Sequence, residues 1–394
     1  LLGWPWCLLR SFSTRHGLRI GVALVTVIGV CAGGVLYAIN RTVLRDHLEY
    51  KIAHATFSPR YVEDYRGKVI VEIPEVFELA HVIVAVSEHG KDSYQVHRHG
   101  AYYERAMEHF GPFRGHRVVQ EQVFSRSMSR YLGFRSNSYC YVFEDDRIRP
   151  SRVHWNAYWP DAFRPRRRLV EDFAQKSGFR EFYRANQPYY QELIDKYRRE
   201  VPIRQMWQWL EERFPARYDC YRVVLSPLLG GTHNTHGFDG DDYREAVMFV
   251  SAGSLLEGDI DDVDRAEEAR TVFTEIDHNY VNEVTDRFVG RVNRVFGDLD
   301  RWNKQKGYRS PYMTFNEYMT WSVFILYLDD TTDNKDFFQE VHKAIADQMV
   351  NSRRFVLFRQ FSEKLLELYR QRGQSETIVD LYPGILDWAR TLRK

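Results

Sequence analysis

The sequence predicts an α+β fold that is predominantly helical, with a small mixed sheet followed by a helical C-terminal half. Two observations predict it. Short runs of β-branched and aromatic residues near residues 69, 140, 221 and 247 have the composition of strands. From about residue 261 to 372 the chain has an almost wholly helical pattern, and no repeat or low-complexity tract is visible.

The elements of the first half follow from their residues in chain order. The segment 68–73 has strand character and ends at Pro74, which cannot donate a hydrogen bond to a sheet. A mostly apolar run then predicts a buried helix over 75–88. The other predicted elements up to residue 250 are helices at 99–110, 117–132, 167–185, 187–200 and 202–213, and strands at 139–144, 218–225 and 245–250.

Length and charge limit the classes of function. The chain has 394 residues, enough for one large domain or two ordinary ones. Lys and Arg total 55 against 54 for Asp and Glu, so there is no basic excess to indicate nucleic-acid binding. Hydrophobic residues make up 44%, which is typical of a globular protein. An aromatic share of 15% fits a well-packed fold and is also compatible with surfaces on which sugars or peptides stack.

The N-terminal region predicts an attachment to a membrane. After a short flank (1–17), the segment 18–39 is apolar, and residues 20–39 carry no charge over about the length that spans a bilayer core. We expect an uncleaved anchor, with a cleaved signal peptide as the alternative. The polar segment 40–66 is predicted to be a stalk, and 67–394 the folded body, with a possible subdivision near 215. By the usual orientation of such anchors, the body is periplasmic or extracellular.

Two of the four cysteines, Cys140 and Cys220, fall in the predicted body. They can form a disulfide if the body is exported, and they are equally compatible with free buried thiols. Because no C-x-x-C motif occurs, a cysteine-based zinc site is not predicted.

The segment 274–278 reads Thr-Glu-Ile-Asp-His, which is the zinc-peptidase pattern H-E-x-x-H with threonine in place of the first histidine. Residues four apart share one helix face, so the intact pattern holds one zinc ion, and its glutamate accepts a proton from metal-bound water. We therefore expect His278 to be a metal ligand and Glu275 the general base. The alternative is an ordinary solvated helix face.

Two further features can complete a metal site. His233 and His236 lie in the glycine-rich segment 230–237, where both imidazoles can point at one site, although a polar surface turn is the alternative. Glu317 lies at the start of a later helix. Gluzincins take their third ligand from a glutamate on a helix after the motif helix, so Glu317 has the right residue type and order. Its alternative role is a carboxylate favoured by the helix dipole. Strands first and the site helix second is the layout of a zincin-like domain.

Three stretches, 71–80, 182–190 and 273–282, resemble a family of bacterial envelope proteins classed as a domain of unknown function. The resemblance covers about 68–390, and some members carry an intact H-E-x-x-H followed by Val-Asn. It implies a gluzincin-like metallopeptidase fold, in which Glu275 matches the general base and His278 a zinc ligand. Thr274 departs from the first ligand. Thr274 and Asn282 are expected to hydrogen-bond around the ligands instead of binding the metal.

Two functional hypotheses follow. The first is a membrane-anchored zinc metallopeptidase that hydrolyses peptide bonds. Its Zn²⁺ is held either by His278, His233 and His236 or by His278, one of these two histidines and Glu317. Its partners are a peptide or protein substrate and the membrane, without nucleic acid. The second hypothesis is a catalytically inactive envelope protein that keeps the peptidase fold and binds peptide or glycan.

Overall fold

The computed structural model describes residues 54–157, 161–256, 258, 260–305 and 307–392. The strands are β1 (His54–Ala55), β2 (Lys68–Glu72), β3 (Tyr141–Glu144), β4 (Arg147–Pro150), β5 (His154–Asn156), β6 (Cys220–Leu225), β7 (Asn234–Asp239) and β8 (Arg244–Val250). The helices are α1 (Pro59–Tyr65), α2 (Glu75–Val86), α3 (Gly100–Phe110), α4 (Arg117–Glu121), α5 (Met128–Ser138), α6 (Arg167–Ser177), α7 (Phe179–Ala185), α8 (Gln187–Glu200), α9 (Ile203–Arg213), α10 (Asp262–Val295), α11 (Leu299–Trp302), α12 (Pro311–Thr331), α13 (Lys335–Asp347), α14 (Phe358–Gln371) and α15 (Ile378–Thr391). The predicted α+β, predominantly helical fold is confirmed.

A four-stranded mixed sheet in the order β2-β6-β8-β7 lies at the centre of the fold. β2, β6 and β8 are parallel, and β7 runs antiparallel to β8 at the edge. Every residue of β6 is buried, since helices cover both faces of a parallel sheet. On one face, Phe77 of α2 packs its ring 5.4 Å from that of Phe249 in β8.

Two strand predictions need correction. The segment near 140 does not join the central sheet: β3 pairs with β4 as a separate antiparallel hairpin. The glycine-rich segment 230–237, for which no strand is predicted, contains the first residues of the edge strand β7. Its polar residues and glycine hide the alternation by which strands are recognised, while pairing with β8 supplies the missing backbone hydrogen bonds.

The helical half is organised by α10, which is 34 residues long. α12 packs antiparallel to α10, as two contacts show. Phe273 lies against Phe324 at one end (ring centroids 5.3 Å apart), and the hydroxyl of Tyr312 donates a hydrogen bond to Asp286 at the other (3.0 Å). α15 closes the same core, since the hydroxyl of Tyr382 donates to the carbonyl of Val281 (3.3 Å).

Two predicted helices are each divided by a residue in the left-handed region. Gln122, with φ of 39°, ends α4 and separates it from α5, where a continuous helix over 117–132 is predicted. Gly178, with φ of 64°, divides the predicted helix 167–185 into α6 and α7. Glycine adopts this conformation without the steric cost of a Cβ atom.

The described part of the predicted stalk, residues 54–66, is folded against the sheet. Tyr61 donates to Glu245 of β8 (2.8 Å), and Phe57 packs on Tyr243 with ring centroids 4.8 Å apart. This segment therefore belongs to the body, because its aromatic side chains bury against residues of the sheet and its connections. The described residues between 54 and 392 form one compact unit.

The predicted membrane segment, 18–39, lies outside the described residues. Within those residues, no helix is both long enough and apolar enough to cross a bilayer. Cys140 and Cys220 are both free and buried, so they do not form the disulfide that was one alternative.

Candidate functional site

The middle of α10 lies against the edge strand β7. The side-chain amide of Asn279 donates to the hydroxyl of Thr235 (2.9 Å) and fixes the strand to this turn of the helix. The same turn carries Glu275 and His278, which are three residues apart and share a face. Helical spacing and one cross-element hydrogen bond therefore place the predicted motif beside a sheet edge.

His278 and Glu317 are brought together by the antiparallel packing of α10 and α12. Their nearest atoms, Nε2 of His278 and Oε1 of Glu317, are 3.5 Å apart. Both residues are buried. Burial disfavours the charged imidazolium, but the carboxylate of Glu317 outweighs it and raises the pKa of His278.

Arg353 forms a charged cluster with His278 and Glu317. Nothing in the sequence predicts that this arginine lies there. Its Nη2 donates to Oε2 of Glu317 (2.7 Å) and to the hydroxyl of Tyr308. Burial alone would raise the pKa of Glu317, but the charge of Arg353 and the hydrogen bond from His278 lower it to about 2. Glu317 is therefore an ionised carboxylate held between the guanidinium of Arg353 and the imidazole of His278.

Glu275 has the opposite electrostatic character. Its carboxyl group is only partly exposed, and removal from water raises its pKa to about 7, with His278 acting in the other direction. A carboxyl group with such a pKa can accept or release a proton near neutral pH. Asp277, on the same turn, is fully buried, and neither of its carboxylate oxygens has a hydrogen-bond partner among the described residues.

The structure separates the two histidines of the glycine-rich segment. Because side chains alternate along a strand, Thr235 faces α10 and His236 faces the other side of the sheet, where its ring lies 6.1 Å from that of Phe249. His233 precedes the strand and lies within the electrostatic reach of Arg353. Burial lowers the pKa of both histidines to about 3, so both are neutral.

The predicted zinc site is corrected by this geometry. No group of three or more His, Cys, Asp or Glu side chains that could hold a metal occurs among the described residues. The hydroxyl of Thr274, in place of the first ligand, donates a hydrogen bond to the carbonyl of Thr271 (3.2 Å). The carboxylate of Glu317 is already hydrogen-bonded to Arg353. With His236 on the far face of the sheet, the residues present do not fit zinc.

The remaining predicted site residue, Asn282, lies one turn beyond His278. Its carbonyl accepts a hydrogen bond from Tyr312 of α12 (3.3 Å). Its side-chain oxygen is buried and has no partner in the described part of the chain. The bond to Tyr312 holds α10 and α12 together beside the motif.

Arg135 is a second cationic residue that sequence analysis misses. It is fully buried on α5, where its guanidinium donates to the carbonyl of Thr232 (2.7 Å) and to the side chain of Asn234. It thereby braces the segment that enters β7. The only sequence signal is an arginine within an otherwise uncharged run, 132–138, without an acidic neighbour.

Comparison with known proteins places the chain in a family. The model of a domain of unknown function, DUF4932, matches residues 160–387, which is more than half of the sequence. The chain belongs to the DUF4932 family. This DUF4932 region contains His278, Glu317 and Arg353, whereas Arg135 precedes it. The expected domain of unknown function is thus confirmed, whereas the metallopeptidase motif gains no support. No curated protein and no solved structure matches the chain.

Proposed function

We propose that this DUF4932 protein binds an extended peptide segment along β7 and does not cleave it. One observation carries the proposal. The edge strand β7 is hydrogen-bonded to α10 beside the charged cluster, and that cluster includes the partly exposed Arg353. Among the described residues, β7 pairs with β8 on one side only. A sheet edge of this kind offers backbone N–H and C=O groups to an added strand.

Arg353 supports recognition of the peptide by a polar contact. Its Nη2 atom bonds to Glu317 and Tyr308, while its Nε and Nη1 atoms make no hydrogen bond to any described residue. The side chain is 24% exposed. A guanidinium carries five N–H donors, so those on Nε and Nη1 can bind a carbonyl or carboxylate oxygen of a ligand.

An aromatic side chain lies near the start of β7. Tyr94 is 62% exposed, and its carbonyl accepts a hydrogen bond from Gly231 (2.8 Å), three residues before the strand begins. Exposed aromatic residues are enriched where proteins bind partners, since they bury a large area at a low entropic cost. Tyr94 therefore offers an apolar contact for a side chain of the bound peptide.

The absence of cleavage is supported by the partners of the motif residues. A metallopeptidase needs three protein ligands and an open position for water. Here the hydroxyl of Thr274 is used within its own helix and Glu317 is neutralised by Arg353. Glu275 alone retains the character of a proton acceptor, and a general base without an activated nucleophile gives little rate enhancement.

The test is a selection from a library of random linear peptides of about ten residues, using the full chain, followed by fluorescence anisotropy with the selected peptides. Arg353→Gln should weaken binding roughly 10- to 100-fold, the effect of losing a hydrogen bond from a charged donor. Arg359→Gln is the matched control, because Arg359 is also paired with a carboxylate, that of Asp347, but lies outside the cluster. It should leave affinity unchanged.

Two further measurements separate the alternatives. Hydrogen exchange should show new protection of amides in 234–239 when peptide is bound, and protection confined to other strands would contradict the proposed position. Mass spectrometry should recover the peptide intact. Specific cleavage products, or a selection that yields no binding peptide, would overturn the proposal.

A further inference from the structure

Glu317 is the residue for which a metal ion and Arg353 would compete. Its Oε1 faces Nε2 of His278 at 3.5 Å, and its Oε2 accepts the 2.7 Å hydrogen bond from Arg353. Two ligands at zinc-binding distance on one tetrahedral ion lie roughly 3.3 Å apart. The two side chains thus have the separation of ligands that share an ion, but a guanidinium already supplies the positive charge.

We propose that Arg353 is the resident cation of this site and excludes divalent metals from the His278–Glu317 pair. The proposal concerns charge balance within the folded chain and does not depend on peptide binding. A guanidinium remains protonated over the whole range in which proteins fold, so a change of pH cannot remove its charge.

The backbone around Arg353 holds the guanidinium at the site. A π-helical turn, Gln348–Ser352, leads directly into it, and the next residue, Arg354, has φ of 65°. The backbone on the far side is fastened by hydrogen bonds from Lys304 N to the Arg354 carbonyl and from Val356 N to the Trp302 carbonyl, both 3.0 Å. A non-glycine residue in the left-handed region persists only where its surroundings fix it.

The side chain of Arg353 is held by aromatic rings. Its guanidinium carbon lies 4.6 Å from the centroid of Trp321 and 5.5 Å from that of Tyr308. The guanidinium carbon of Arg270 also lies 4.2 Å from the centroid of Trp321, so one indole ring contacts two guanidinium groups. Such cation–π contacts favour the position beside Glu317 over a rotamer that swings into solvent.

Two substitutions separate this cluster from a three-ligand metal site. Thr274 lies four residues before His278, where a histidine would share its helix face. Restoring histidine there supplies the third ligand but leaves the charge of Arg353 in place. Since screening is weak at a buried site, that charge repels a divalent ion strongly.

The experiment is a zinc titration of the full chain without peptide, followed by calorimetry and by elemental analysis of the dialysed protein. Thr274→His alone should bind zinc no better than the unmodified chain. Thr274→His combined with Arg353→Gln should bind one zinc ion per chain at least about 100-fold more tightly than Thr274→His alone.

Controls separate removal of charge from loss of structure. In the Thr274→His background, Arg353→Lys retains the charge and should not gain zinc binding, and neither should the distant Arg359→Gln. If Arg353→Gln prevents folding, Arg353→Met keeps the apolar stem against Trp321 and should give the same gain. The proposal is overturned if Thr274→His alone binds zinc as tightly as the double variant, or if a folded double variant binds none.

Discussion

Replacement of Glu317 by glutamine tests how the charged cluster stabilises the fold. Glutamine has nearly the same size and can still accept a hydrogen bond, but it carries no charge. Glu317 is only 8% exposed, so solvent cannot replace the lost carboxylate. At neutral pH Arg353 keeps its positive charge, and the variant therefore leaves this guanidinium, whose side chain is 24% exposed, without the counter-charge of Glu317.

The size of the effect follows from the pKa of Glu317. Its partners lower the pKa from an ordinary 4.5 to about 2 in the folded protein. Each pKa unit corresponds to about 1.4 kcal/mol, so the ionised carboxylate contributes roughly 3 kcal/mol at neutral pH. Because the folded pKa is depressed, this stability is complete above pH 4.5 and is lost as the pH falls towards 2. At pH 3, about 1.5 kcal/mol should remain.

Urea unfolding of the unmodified chain and of Glu317→Gln, at pH 7 and at pH 3, measures this difference. The variant should be destabilised by about 3 kcal/mol at pH 7 and by about half of that at pH 3. Glu363→Gln, at an exposed position of α14, is the matched control and should change stability by less than about 0.5 kcal/mol. A loss below about 1 kcal/mol at pH 7, or an equal loss at both pH values, would refute the reasoning.

Three further predictions concern packing at a glycine, the pH dependence of stability and the reactivity of the thiols. Gly230→Ala places a Cβ atom 2.4 Å from the carbonyl oxygen of Tyr94 and should lower the free energy of unfolding by about 1–3 kcal/mol, measured by urea titration. Glu275→Gln should stabilise the fold by about 1–3 kcal/mol above pH 7 and by less near pH 5, since a carboxyl group whose folded pKa is raised to about 7 costs stability as the pH rises from 4.5 to 7. The buried thiols of Cys140 and Cys220 should not react with maleimide in the native protein, and both should react in urea, as peptide mass mapping would show.

The glycine prediction has a matched control in Gly111→Ala. A Cβ atom at Gly111 meets no heavy atom within 4 Å, so this change should not lower stability appreciably. Equal losses at both positions would contradict the steric argument for Gly230. An unchanged stability of Glu275→Gln above pH 7 would contradict the burial argument for Glu275, and labelling of either thiol in the native state would contradict its burial.

The helices and the buried strands were predictable from the sequence because each carries a strong local pattern. β6 is entirely buried and reads as a run of β-branched and aromatic residues. α10 keeps apolar residues on a consistent face, which places Ile276 and Tyr280 in the core. Such patterns require no knowledge of the distant chain.

β7 and Arg353 were not predictable, for different physical reasons. β7 is specified by pairing with β8, and its own residues, among them His236 and Gly237, have low strand propensity. Arg353 lies between two helices in an irregular segment and resembles, with Arg354, an ordinary solvated pair. Only the folding of 348–356 against 302–304 brings its side chain to Glu317.

The length of α10 has a consequence for any attempt to divide the protein. At 34 residues it is about 50 Å long, and it contacts the sheet through Asn279 and the last helix through Thr285, whose hydroxyl lies 3.3 Å from that of Tyr382. One long helix thus contacts both the central sheet and the last helix of the chain. A cut near residue 215 would remove α10 from the N-terminal fragment. The C-terminal fragment would keep α10 but lose the contact of Phe273 with Trp209 of α9, whose ring centroids lie 5.9 Å apart. Neither half is therefore expected to survive as an independent folding unit.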